Sequence, residues 1–188
     1  MGGGKSKRQS ENGHNSHIDK AKSVDNAKSL RYETVVDKDG DVRVRIRTYV
    51  WDHDGPKVMM DYETIFYFYE KNSDTPLYAI TFSHYGLVYH YNLKSWDNSD
   101  FSPRFNNDYH TPVLNSDVHI ENGPFARPTY LFAKISGLAS TQSNCDAKEI
   151  KGGLPKNHQL RDRYDDIKEN WEVYMNECRE HERNQNNR

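Results

Sequence analysis

The chain has 188 residues with 26 lysines and arginines against 28 aspartates and glutamates, a net charge of -2 that argues against a general nucleic-acid binder. Only 34% of it is hydrophobic, but 12% is aromatic with 13 tyrosines, so one domain of ordinary size is expected whose core leans on aromatic surface. No apolar run approaches a membrane span, no signal-peptide core follows the start, and Cys145 and Cys178 have no paired spacing, which fits a cytosolic, reducing compartment and excludes a cysteine-rich zinc site.

Residues 1–30 are polar and read as a flexible basic arm, with a short helical turn around Ile18, Ala21 and Val24. The arm opens M-G-G-G-K-S-K-R. Gly4-Lys5-Ser6 looks like the end of a phosphate-binding loop, but the earlier glycine and the feeding strand have no room. Met1-Gly2-x-x-x-Ser6 has the pattern of N-myristoylation, in which loss of Met1 exposes the Gly2 amine. One myristoyl chain binds a bilayer with K of only about 10⁴ M⁻¹, so a stable anchor needs a second signal. Both cysteines lie far away, which leaves Lys5, Lys7 and Arg8, each contributing about 1 kcal/mol at an anionic leaflet. Phosphate on Ser6 or Ser10 would subtract from the same patch and make the anchor switchable. The arm's composition would also suit the secretion leader of a pathogen effector.

From Arg31 the pattern becomes strict alternation. Arg31–Val36 reads as a strand, and Asp37-Lys38-Asp39-Gly40 as a hairpin turn with glycine at its left-handed position. In D-V-R-V-R-I-R-T-Y-V-W, Val42, Val44, Ile46, Thr48 and Val50 share one face; Arg43, Arg45, Arg47, Tyr49 and Trp51 share the other. This hairpin places Tyr32, Thr34 and Val36 beside Ile46, Val44 and Val42. Closing the next turn at residues 52–56 sets Asp61 opposite Arg47 and Glu63 opposite Arg45 on a solvated face, with Glu33 on the other side of Arg45. Strands are expected at Val58–Tyr69, Leu77–Phe82, Leu87–Leu93, Val113–Ile120 and Thr129–Ser136, with loops at 94–112 and 137–156. Leu160, Tyr164, Ile167, Trp171, Tyr174 and Cys178 then step by four and three, one stripe of a helix over about 157–183 capped by Asn157. The domain is therefore 31–184, followed by a polar tail at 185–188. Its fold class is mainly β, an antiparallel sandwich or partly open barrel of about seven strands with a C-terminal amphipathic α-helix.

Seven strands followed by a helix bearing Trp171 resembles the pleckstrin-homology superfold, over about Arg31–Asn184. The resemblance implies a barrel plugged by that helix, and Lys38, Arg43 and Arg45 are similar to the basic motif with which many members bind phosphoinositides. Independently, the guanidinium forks on one strand face suit an acidic ligand, most of all at Arg43, whose predicted neighbours Val35 and Ile65 are neutral.

Asp37-x-Asp39-Gly40-Asp41 has part of a calcium loop, but the further oxygen ligands and the terminal bidentate glutamate do not follow, so hairpin chemistry explains it. Nine histidines, including His53, His84, His90, His110 and His119, show no H-x-x-x-H pair and no repeated spacing, and no metal or cofactor is expected. Were the chain a hydrolase, Asp52-His53-Asp54 beside Trp51 would be its place for a general base. The expected function is a non-enzymatic, N-myristoylated interaction module on the cytoplasmic face of a membrane, with an anionic surface and a protein as partners. A myristoylated viral matrix or capsid component, which would self-associate, and a delivered effector are the alternatives.

Overall fold

The computed structural model describes residues 32–52, 60–83, 87–95, 103–106, 110–115, 117–122, 141–143 and 147–188. All of them fall in the unit Arg31–Arg188. The arm residues Gly2, Lys5, Ser6, Lys7, Arg8 and Ser10, the histidines His53 and His84, and the expected strand at 129–136 lie outside the described residues.

The fold is mainly β. The strands are β1 (Glu33–Val36), β2 (Val42–Trp51), β3 (Asp61–Tyr69), β4 (Pro76–Phe82), β5 (Leu87–Asn92), β6 (Arg104–Asn106), β7 (Pro112–Val113), β8 (Val118–Asn122), β9 (Thr141–Ser143) and β10 (Lys148–Ile150). Two helices close the chain, α1 (Arg161–Glu169) and α2 (Trp171–Asn186). One seven-stranded antiparallel sheet runs β1-β2-β3-β4-β5-β8, and β10 joins it along the outer end of β2. A smaller sheet runs β7-β6-β9. The large sheet does not close into a barrel, and the architecture is a partly open sandwich with a C-terminal helix pair.

Because side chains alternate across a strand, the two faces of this sheet carry different residues. Val44 and Ile46 of β2, Phe66 and Phe68 of β3, Tyr78 and Ile80 of β4 and Val88 of β5 form one core with Tyr164, Ile167, Tyr174, Met175 and Cys178 of the helices. Tyr49, Trp51, Tyr67, Tyr69, Tyr89 and Tyr91 form the other, closed by Phe105 of β6 and by Leu114. The stripe Tyr164, Ile167, Tyr174, Cys178 is the buried side of the helices, as its spacing requires.

Several details differ from the sequence expectation. Asn170, at φ -114° and ψ 35°, interrupts the helix between α1 and α2, so the expected single helix is two, starting at Arg161 after Leu160 instead of after Asn157. The polar tail at 185–188 is helical through Asn186. The loop regions 94–112 and 137–156 contain β6, β9 and β10, too short to announce a period. Gly40 does take the left-handed conformation, at φ +82°. A bulge between Val35 and Val36 shifts the first hairpin, so Glu33 opposes Ile46 and Val35 opposes Val44. The β2–β3 connection is longer than the five-residue turn expected. Arg47 therefore opposes Ile65 and Arg45 opposes Tyr67, four residues from the acidic partners anticipated, an even offset that leaves the faces unchanged. Both faces being covered, the arginine face is not a solvated one.

Candidate functional site

The basic residues that the sequence singled out are largely engaged with their own chain. Arg43 donates from Nε to the Tyr69 carbonyl at 3.1 Å and from a terminal nitrogen to Asp37 Oδ2 at 3.2 Å, and its guanidinium lies 4.5 Å from the centre of the Trp171 ring. Arg45 sits over Tyr32 and Tyr69 at 5.6 and 5.2 Å. Arg47 is buried and forks onto Glu149 of β10 at 2.8 and 3.2 Å. Burial alone would lower its pKa, but the Glu149 bonds together with Tyr49, Tyr67 and Tyr32 outweigh that and hold it above its ordinary value. Lys38 is exposed in the hairpin turn, and Arg43 and Arg45 lie on β2 of the same hairpin. The Trp171 expected on the helix is a stacking partner for Arg43.

The aspartates of the hairpin do cluster. Asp37 Oδ1 accepts the backbone N–H groups of Asp39 and Asp41 at 2.9 and 3.1 Å, an Asx turn, while Lys71 reaches Asp39 at 2.6 Å and Asp41 at 3.7 Å. Backbone donors, Arg43 and Lys71 thus satisfy these carboxylates, in keeping with the hairpin reading.

Asp52-His53-Asp54 has only Asp52 among the described residues. Beside Trp51 stands a histidine from elsewhere. His110, at φ +56°, stacks on the Trp51 ring at 4.3 Å with 2° between the planes, and its Nδ1 lies 2.7 Å from Asp61 Oδ2. Histidine and aspartate are both buried, so the pair is hydrogen-bonded in a low-dielectric aromatic box.

A third group was not anticipated. His90 of β5 is directly opposite His119 of β8. Tyr89 and Tyr91 belong to the second face and so do Val118 and Ile120, so alternation turns His90, His119 and Glu121 toward the helices. From the other side α2 brings Glu177 and His181. The His119 and His181 rings stack at 3.8 Å and 17°, and the His90 and His181 ring centres are 4.6 Å apart. His90 is 4% exposed and its Nδ1 is buried with no hydrogen-bond partner. Burial, with His181 and His119 adding repulsion, pushes its pKa down to about 3, so the ring is neutral at physiological pH. Burial and the nearby Glu121 push Glu177 upward. A shallow cleft with room for about one water lies along this cluster, lined by Asn92, Asp117, Cys178 and Gln185 among others. Burial raises the Cys178 thiol, which keeps it protonated.

Reading histidines as scattered surface or core groups therefore fails for these three, because strand pairing and helix docking bring together residues far apart in sequence. A signal was present. After Cys178 the helix stripe continues by three to His181 and by four to Gln185, and the strand carries His119-x-Glu121 on one face. Glu177-x-x-x-His181 has the geometry of an H-x-x-x-H pair with a carboxylate in place of one imidazole. The chain matches no protein-family model, no curated protein and no solved structure.

Proposed function

We propose that this protein is an N-myristoylated peripheral module that holds a β-rich binding domain at the cytoplasmic face of a membrane. The observation that carries it is the coincidence of Gly2 and Ser6 in the acylation pattern with Lys5, Lys7 and Arg8 in the same eight residues. The fold supports this division of labour. Both faces of the large sheet are covered by the chain itself, and no helix among the described residues is long and apolar enough to cross a membrane. The large apolar side chains exposed among the described residues, Val36, Met60 and Val173, belong to separate parts of the sequence. Membrane attachment then falls to the arm, and the folded body is left to bind a partner.

Intact mass of the protein made with and without a myristoyltransferase tests the reading, with a shift of one acyl group expected. Vesicles containing phosphatidylserine should then bind the acylated chain and not Gly2→Ala. Replacing Lys5, Lys7 and Arg8 by alanine should weaken binding by roughly two orders of magnitude, about 1 kcal/mol for each charge. Aspartate at Ser6 and Ser10 should weaken it less. An unmodified amine in the presence of the transferase overturns the proposal.

A further inference from the structure

We propose that His90, Glu121 and His181 bind one divalent transition-metal ion of the zinc class, which fastens α2 to the β5–β8 edge of the sheet. His90 Nε2 lies 3.5 Å from Glu121 Oε1 and 3.8 Å from Glu177 Oε2, and the Nε2 atoms of His119 and His181 lie 3.7 and 3.9 Å from Glu121 Oε2. These separations exceed the roughly 2.7–3.2 Å of a direct N–H···O bond. They are close to another distance. Two ligands about 2.0–2.1 Å from a common tetrahedral ion stand roughly 3.4 Å apart. One donor atom each from His90, Glu121 and His181 lies within 4.8 Å of the others, so movement of partly exposed side chains completes the set.

The donors select the ion. Two imidazole nitrogens with one carboxylate suit zinc and its neighbours, whereas calcium and magnesium take oxygen ligands. Three protein ligands leave a fourth position to water on the cleft side. His119, stacked on His181 and facing Glu121, orients both and is a positioning residue. Glu177, on the same helix as His181, supplies further negative charge beside the Arg163 guanidinium. The ligands come from β5, β8 and α2, so an ion here binds the docked helix and not an undocked one, and stabilises the assembled domain by mass action.

The test is a zinc titration of the full chain against a chromophoric chelator, with circular dichroism confirming that each variant is folded. Saturation at one ion per chain is expected. Glu121→Gln and His181→Gln, at partly exposed positions, should each weaken affinity more than the roughly 10–100-fold that loss of an outer partner costs, and His119→Gln should fall within that range. Replacing His14 and His17 of the arm together by glutamine should leave the titration unchanged, as should Gly2→Ala, which separates this site from the membrane anchor. Cobalt in place of zinc should give visible absorption that disappears in Glu121→Gln. Absence of saturable binding, binding that survives both Glu121→Gln and His181→Gln, or binding lost with His14 and His17 overturns the proposal.

Discussion

The two faces of the large sheet are buried by different means. The helix side is filled by Val44, Ile46, Phe66, Phe68, Ile80 and Val88, whose burial needs nothing but close packing. The opposite side is tyrosine-rich and also buries Arg47, Asp61, Glu63 and His110. There each buried polar group needs a partner in place, as Arg47 has an ion pair with Glu149 and Asp61 a hydrogen-bond contact with His110. Contacts on an apolar face have no direction and depend on shape and volume alone. A face with buried charges depends on individual partners, several of them contributed from distant parts of the chain.

Matched truncations on the two faces sharpen that contrast and carry the largest effects. Phe66→Ala, at a fully buried ring packed on Phe82 and Tyr164, should cost about 3–5 kcal/mol in urea unfolding. Glu149→Ala should cost a similar amount, about 3–5 kcal/mol, by leaving the buried Arg47 charge without its carboxylate. The two losses differ in how they are repaired. Replacing Arg47 and Glu149 together by Met and Leu should return stability close to that of the parent protein, whereas no polar exchange restores Phe66→Ala. If the double replacement is as unstable as the single one, the second face is held by something other than charge matching.

A smaller effect is expected where the helix side meets the loop before α1. Gly153 is left-handed at φ +74°, and a methyl group there would run into the Tyr164 ring. Gly153→Ala combines a backbone cost of about 1–2 kcal/mol with overpacking of about 1–3 kcal/mol. Thermal unfolding should show a loss between those of a surface and a core truncation. A neutral result would mean that Tyr164 is not held in place by its contacts with the sheet.

The smallest effect concerns the docking of α2. Burial tends to raise the Glu182 pKa, but bonds from Lys94 and Tyr78 outweigh it and keep the carboxyl below the ordinary 4.5. Because the folded value is depressed, this contribution is complete above the ordinary value and disappears as the pH falls through the folded one. Amide protection factors along α2, taken relative to the intrinsic exchange rate at each pH, should fall below about pH 4.5. Glu182→Gln should differ from the parent near neutrality and converge with it in acid. A difference independent of pH would assign the effect to shape and not to charge.

How much of this was legible depended on the range of each contact. Alternation marked Val42–Trp51 because period two is a local property of ten residues. The stripe from Leu160 to Cys178 marked the helical surface because neighbours three and four apart share a face. It did not mark the break at Asn170, although asparagine favours helix caps over helix interiors and serves here as the C-cap of α1 and the N-cap of α2. Register was legible only where the turn was. Gly40 anchored the hairpin tip, but the bulge at Val35 and the longer β2–β3 connection have no signature in composition. Of the candidate site, His119 with Glu121 and Glu177 with His181 were readable as pairs. Their convergence with His90 was not.

The sequence by itself determined the kinds of element and which residues share a face, since both follow from backbone periodicity over a few neighbouring positions. Only the tertiary structure decided which face became a dry core, which arginine found a carboxylate 102 positions away, and which histidines met across the β5–β8 edge and α2. Those outcomes depend on loop lengths, bulges and helix docking, and these act on pairs of residues whose separation along the chain carries no periodic signal.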